Sequence, residues 1–132
     1  MEESIFTKII NGEIPCHKVF EDKKTIAFMD IHPVQPGMVL VVSKLQVEDF
    51  MNLPPEDYQA LWQTVQKVAQ KLKTVFPDKK RIAVQVEGLD VPHVHVKVLP
   101  IDSGSEFRAK PDFDNEPNHP ALAEMAEKLR FE

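Results

Sequence analysis

The run Val91-Pro92-His93-Val94-His95-Val96-Lys97-Val98-Leu99-Pro100 constrains the fold more than any other stretch, because its polar residues alternate with valines. Side chains along an extended strand alternate between two faces with a period of two. His93, His95 and Lys97 are therefore expected on one face of a strand, with Val94, Val96 and Val98 buried on the other. A chain carrying such a strand must build a sheet with one face against a core and two imidazoles and an ammonium in a row on the other. A neutral imidazole is a nucleophile near pH 7, and a fixed cation beside it holds anionic oxygens, so the row suits phosphate chemistry.

The rest of the chain bounds where this strand can sit. At 132 residues and 42% hydrophobic, the sequence holds enough apolar surface for one domain, and it is too short for two ordinary ones. No window approaches the roughly 18 uninterrupted apolar residues of a membrane span, and the start Met1-Glu2-Glu3 is acidic where a leader peptide would be basic. The expected location is cytoplasmic, with no membrane partner. The single cysteine, Cys16, excludes an internal disulfide and a Cys-x-x-Cys metal clip, and reads as an inert, half-buried thiol. A net charge of -5 argues against DNA or long RNA as a partner but leaves room for a small phosphorylated ligand held by a local cation cluster.

Along the chain, Ser4 to Gly12 reads as a short helix with Ser4 as N-cap and a stripe at Ile5, Phe6, Ile9 and Ile10. About His17 to Glu21 and Thr25 to Asp30 form a hairpin around Asp22-Lys23-Lys24. The turn Ile31-His32-Pro33-Val34-Gln35-Pro36-Gly37 then leads into a buried strand, Met38 to Val42. Pro54-Pro55-Glu56-Asp57 opens a long helix whose apolar positions run from Tyr58 through Leu61, Trp62, Val65, Ala69 and Leu72 to Phe76, with Pro77 after it. Arg81 to Glu87 and Pro92 to Leu99 are the last two strands, joined at Gly88-Leu89-Asp90, and the histidines are expected at the sheet edge. Beyond Pro100 the chain is polar and proline-rich until Pro120, and Ala121 to Leu129 forms a C-terminal helix.

Three readings of the histidine strand compete. It could be the solvated face of an edge strand. It could be a His-x-His metal pair, but a jelly-roll site would want a glutamate a few residues after the second histidine, where Leu99, Pro100 and Ile101 stand, and the Lys97 ammonium would repel a divalent cation. It could be a nucleophile beside a phosphate clamp. Alternate strand residues lie roughly 6.6 Å apart. At an effective dielectric near 20 this gives about 2.5 kcal/mol of repulsion between Lys97 and a protonated His95, enough to keep His95 neutral at pH 7.

These residues resemble the histidine triad superfamily of nucleotide hydrolases and transferases. Its signature, His-φ-His-φ-His-φ-φ with φ apolar, corresponds here to His93-Val94-His95-Val96-Lys97-Val98-Leu99. Ser4 to Pro15, Ala27-Phe28-Met29-Asp30-Ile31-His32-Pro33, Pro36-Gly37 and Leu53-Pro54-Pro55 follow in the family's order and spacing, so the similarity covers residues 4 to about 101. The resemblance implies an α+β fold in one domain over 1–132, with a C-terminal extension from about 102. The fold would hold a five-stranded antiparallel sheet with a short N-terminal helix, one long helix and a C-terminal helix. A homodimer whose two sheets join is also implied. His95 matches the nucleophile that attacks the α-phosphate of a nucleotide, and His93 matches the histidine that supports it. Asp30 falls where the family's acid accepts the ribose hydroxyls, and Phe6, Ile9, Ile14, Phe28 and Ile31 match the apolar pocket of the base, expected to be a purine.

The departures from the pattern are specific. Lys97 replaces the third histidine and is expected to clamp phosphate. Met38 stands where many relatives carry another active-site histidine. Leu89 and Asp90 occupy positions where glutamine and a hydroxyl residue serve phosphate and leaving group, so that Asp90, counted among the nucleotide-binding residues, would repel phosphate unless Lys97 pairs with it. The zinc ligands of bacterial members correspond to Ser4, Thr7, Gln46 and His93, so no structural zinc and no other cofactor is expected. The resulting expectation is a phosphoramidate or dinucleotide polyphosphate hydrolase that works through a nucleotidyl-histidine and releases a nucleoside monophosphate. The alternative is a nucleotide-binding sensor or regulatory module with weakened chemistry.

Overall fold

Alternating apolar residues in the central strands leave two faces to cover, and the chain covers them unequally. In the computed structural model, which describes residues 2–131, the elements run α1 (Ile5–Ile10), β1 (Lys18–Glu21), β2 (Thr25–Met29), β3 (Val39–Ser43), a 3-10 turn (Phe50–Asn52), α2 (Pro55–Val75), β4 (Arg81–Gln85), β5 (His95–Ile101), α3 (Gly104–Phe107) and α4 (His119–Leu129). The five strands form one antiparallel sheet in the order β1-β2-β3-β5-β4. No helix among the described residues is long and apolar enough to cross a membrane.

One face carries the main core. Ala27, Met29, Val39, Val41, Val96 and Val98 point to Leu61, Val65, Val68 and Leu72 of α2, and α4 adds Leu122, Ala126 and Leu129. These side chains are almost fully removed from water, and burial of each large one stabilises the fold by about 1.5–3 kcal/mol. Pro55 at the start of α2 and Glu56 and Asp57 in its first turn suit the unpaired amides and positive dipole end there. Two polar contacts fix the helix to the β1–β2 turn: Thr25 and Thr64 share a hydroxyl bond of 2.7 Å, and Lys24 reaches Asp57 at 3.2 Å. The turn itself is tied by Asp22, whose Oδ1 accepts from the backbone N–H groups of Lys24 and Thr25 and from the Thr25 hydroxyl.

The other face is where chemistry is exposed. Ile26, Phe28, Leu40 and Val42 pack there beneath Phe6 of α1. The register sets Val42 opposite His95 and Leu40 opposite Lys97, with Leu40 also opposite Phe28. His95 and Lys97 thus stand in adjacent rows above an apolar floor, as the alternation predicts.

Two expectations are corrected. The histidine strand is interior, flanked by β3 and β4, because the open edges belong to β1 and β4; His93 and His95 are buried, not the solvated face of an edge strand. The strand also begins at His95 rather than Pro92 and continues through Pro100 to Ile101. Pro92 lacks an N–H, and His93 N–H bonds the carbonyl of Val91 in a tight turn, so ladder pairing starts only after Val94. His93 therefore precedes the strand. Short elements within polar stretches, the 3-10 turn and α3, lay outside the periodic pattern.

Gly37 closes the β2–β3 connection with φ +89°, and a Cβ placed there would lie 2.7 Å from the Phe76 ring. Gly37→Ala is therefore expected to lower the free energy of unfolding by about 1–3 kcal/mol, through both backbone strain and overpacking. Urea denaturation followed by the fluorescence of the single tryptophan measures it, and unchanged stability would contradict the described packing of this turn on α2.

Candidate functional site

The site begins with a buried histidine whose two ring nitrogens are both engaged. His93, fully buried, places Nε2 2.6 Å from the backbone carbonyl of Ser43 and Nδ1 2.6 Å from the hydroxyl of Ser4. A carbonyl can only accept, so Nε2 carries the proton, Nδ1 is the acceptor, and Ser4 donates to it. The carbonyl of His93 in turn accepts from His95 Nδ1 at 2.7 Å. His95 Nδ1 is therefore protonated, and Nε2 keeps its lone pair with no hydrogen-bond partner among the described residues. That tautomer is the one a nucleophile needs.

Burial is the main force holding both imidazoles below their ordinary pKa of 6.5. For His95 the Lys97 ammonium pushes in the same direction, while the His93 carbonyl, Glu87 and Asp30 oppose it. Desolvation, rather than the Lys97 charge expected from strand spacing, is the larger cause. Phe6 packs on both rings, meeting the His95 ring edge-on at 4.9 Å and the His93 ring at 5.8 Å.

The free side of His95 opens on a cavity of about 220 Å³. The structure brings most of the expected nucleotide-site residues to it: Phe6, Ile9, Ile14, Phe28, Asp30, Ile31, Asp90, His95 and Lys97 all line it, and His93 stands behind. Lys97 is half-buried and makes no ion pair among the described residues. The Asp90–Lys97 pair that would neutralise Asp90 is thus not formed, and Asp90 is exposed at the cavity wall. Asp30 follows β2, with its N–H on the carbonyl of Met38 at 3.2 Å and its Oδ1 accepting from His32 N–H at 2.9 Å. Its second carboxylate oxygen has no partner among the described residues. Met38 turns away from the cavity and packs with Leu99 and Ile101.

Ile5, Pro15, Cys16, Met29, Leu40, Val91, Pro111 and Phe113 also line the cavity and are not marked as site residues by the sequence pattern. Leu40 could have been found by pairing β3 with β5 in register. Pro111 and Phe113 lie in an aperiodic polar stretch that carried no signal. Cys16 is half-buried, as expected, and burial pushes its thiol upward, away from thiolate reactivity.

The four positions matched to zinc ligands converge in space and bond to one another. Besides the Ser4–His93 bond, Thr7 donates from Oγ1 to Gln46 Oε1 at 2.6 Å. Ser4 N–H reaches the same oxygen at 3.0 Å, and Thr7 N–H bonds Ser4 Oγ at 3.0 Å as the N-cap of α1. With no thiolate, and with the one imidazole in the group engaged through both nitrogens, this donor set does not fit zinc. Hydroxyl and amide bonds attach α1 to the histidine instead.

Removing the Ser4 hydroxyl strips the cap of α1 and leaves His93 Nδ1 buried without a donor. Ser4→Ala is expected to cost about 1–3 kcal/mol in urea denaturation, with Ser4→Thr retaining most of the stability; equal stability of Ser4→Ala and the parent would contradict the network. The depressed histidines also set a pH dependence. Below about 6.5 the unfolded chain binds more protons than the native one, so stability is complete above that pH and declines as pH falls toward the lowered native values. Melting temperatures measured from pH 8 to 5 should fall on acidification, and the fall should be shallower in His95→Asn.

Residues 11–104 match the HIT domain family. A HIT-like protein of Methanocaldococcus jannaschii is 39% identical over 99 residues, spanning 73% of this chain and 77% of its own. An adenosine 5'-monophosphoramidase of Candida albicans is 34% identical over 108 residues, covering 73% of this chain and 68% of its own length. Among solved structures, a Hit-like protein from Bartonella henselae superposes with a TM-score of 0.82 at 31% identity, covering 97% of this chain and 95% of the other. The matched span, the five-stranded sheet and the relatives together establish that this chain belongs to the HIT family.

Proposed function

We propose that the protein is a nucleotidyl-transfer hydrolase that releases a nucleoside monophosphate from a phosphoramidate or a dinucleotide polyphosphate. The observation that carries this reading is the free Nε2 of a neutral, buried His95 facing a cavity that also holds Asp30 and Lys97. In the proposed reaction, Nε2 attacks the α-phosphorus, a P–N bond forms to His95, and the bond to the leaving group breaks with its electron pair. The leaving group takes up a proton from solvent. Water then attacks the phosphorus and gives up a proton to solvent, the P–N bond returns its pair to His95, and the monophosphate departs. Lys97 faces the charge of the phosphoryl oxygens, supplying a point charge without a second tautomer. Asp30 accepts the ribose hydroxyls through its unpartnered oxygen, and Phe6, Ile9, Ile14, Phe28 and Ile31 flank a purine. His93 holds His95 in its tautomer. The phosphoramidase among the relatives supports this class of substrate.

The open β4 edge, which pairs on one side only and exposes Val84, supports a homodimer joined sheet to sheet. The net charge of -5 favours a small nucleotide over nucleic acid as the ligand, and a cytoplasmic site of action agrees with the single thiol.

The unpaired carboxylate of Asp90 favours a second reading, a nucleotide-binding regulatory module, because a free anion beside the phosphate position opposes turnover. Intact-mass spectrometry after brief exposure to an adenosine phosphoramidate separates the two. Hydrolysis with a transient nucleotidyl adduct, lost together with on the order of a thousandfold or more of the rate in His95→Ala, is the expected result. Binding without adduct or turnover would select the module, and undiminished activity of His95→Ala would overturn the mechanism.

A further inference from the structure

Phe113 is a large aromatic ring held outside every apolar cluster of the fold. It is 57% exposed, and its one ring partner among the described residues is His32, met edge-on at 5.4 Å and 81°. Both Phe113 and Pro111 nevertheless line the cavity in front of His95. They belong to residues 108–118, a strap that lies beyond the span matched to the HIT domain.

The strap is tethered at both ends. Before it, Ser103 caps α3 by accepting from Glu106 N–H, and Phe107 packs against Met38, Leu99 and Ile101. After it, Asn118 caps α4, whose Leu122, Ala126 and Leu129 enter the main core. His119 at the start of α4 also meets His17 at 2.9 Å, joining the strap's far end to the loop that provides Ile14, Pro15 and Cys16 to the cavity. Between these anchors, Asp112 turns the chain by accepting from Asp114 N–H at 3.0 Å, which sets Phe113 at the apex. His32 links the apex to the site, since its N–H bonds the Asp30 carboxylate while its ring touches Phe113. One turn therefore spaces an acid for a ribose and an aromatic ring at a fixed offset.

We propose that the strap forms the outer wall of the base slot within the same chain, with Phe113 as the residue that packs on the nucleobase and sets its preference. This rests on the nucleotide reading of the site. Phe6 and Phe28 line the same cavity and form an aromatic, apolar pair, so a flat base held between them and Phe113 would cover the exposed ring, and a purine would cover more of it than a pyrimidine.

Isothermal titration with AMP, CMP and ribose 5-phosphate on the parent, Phe113→Ala and Phe113→Trp tests the wall. Phe113→Ala should bind AMP about tenfold more weakly, narrow the difference between AMP and CMP, and leave ribose 5-phosphate unaffected; Phe113→Trp should restore AMP binding. The ring lies outside the core, so melting temperature should barely change in either variant. If the parent binds AMP and Phe113→Ala binds it equally, or if all three ligands weaken together, the wall is overturned while the nucleotide reading stands. If the parent binds neither nucleotide, both fall.

Discussion

The bond between His93 Nε2 and the Ser43 carbonyl determines the state of everything in front of it. A buried carbonyl accepts only from a protonated nitrogen, so this contact fixes the tautomer of His93 and obliges Ser4 to donate. It also ties the turn ahead of β5 to the end of β3, holding the His93 carbonyl where it accepts the hydrogen bond of His95 Nδ1–H. From one main-chain acceptor on β3 the arrangement propagates through two imidazoles to a single lone pair in a cavity. Burial by Phe6 and the sheet floor keeps both rings neutral, so the orientation and the charge state come from the same packing.

How much of this is legible in the sequence depends on the distance over which each cause acts. The Val-Lys-Val alternation after His95 places Lys97 on the correct face because strand periodicity is local. The long helix, its proline start and the Ser4 cap are equally local. The interior position of β5 is not, since strand order follows from which apolar faces meet once α2 has crossed the sheet. Nor are the partners of His93, which stand 50 and 89 residues away, Ser43 through its backbone and Ser4 through its side chain. No pattern in the neighbourhood of His93 announces that Pro92 and the Val91 carbonyl will set it before the strand rather than in it.

The same distinction separates the two walls of the cavity. Phe6, Phe28 and Ile31 belong to segments whose spacing resembles a known family, and that resemblance alone implies that they share a pocket. Phe113 lies between Asp112 and Asp114 in a stretch without periodicity, and only the tertiary fold reveals that its ring faces the site. The Asp30-Ile31-His32 turn bridges the two, with one end on the carboxylate and the other against the aromatic ring.

The attachment of α1 carries a consequence for how the molecule comes into being. Where a metal ion clips such a helix, the pocket is complete only after the ion has been captured, and its supply becomes part of folding. Here Ser4, Thr7 and Gln46 make that attachment with groups the chain already contains. The front wall of the cavity can therefore form at the pace of chain folding alone, indifferent to the trace-element economy of the cell that makes it.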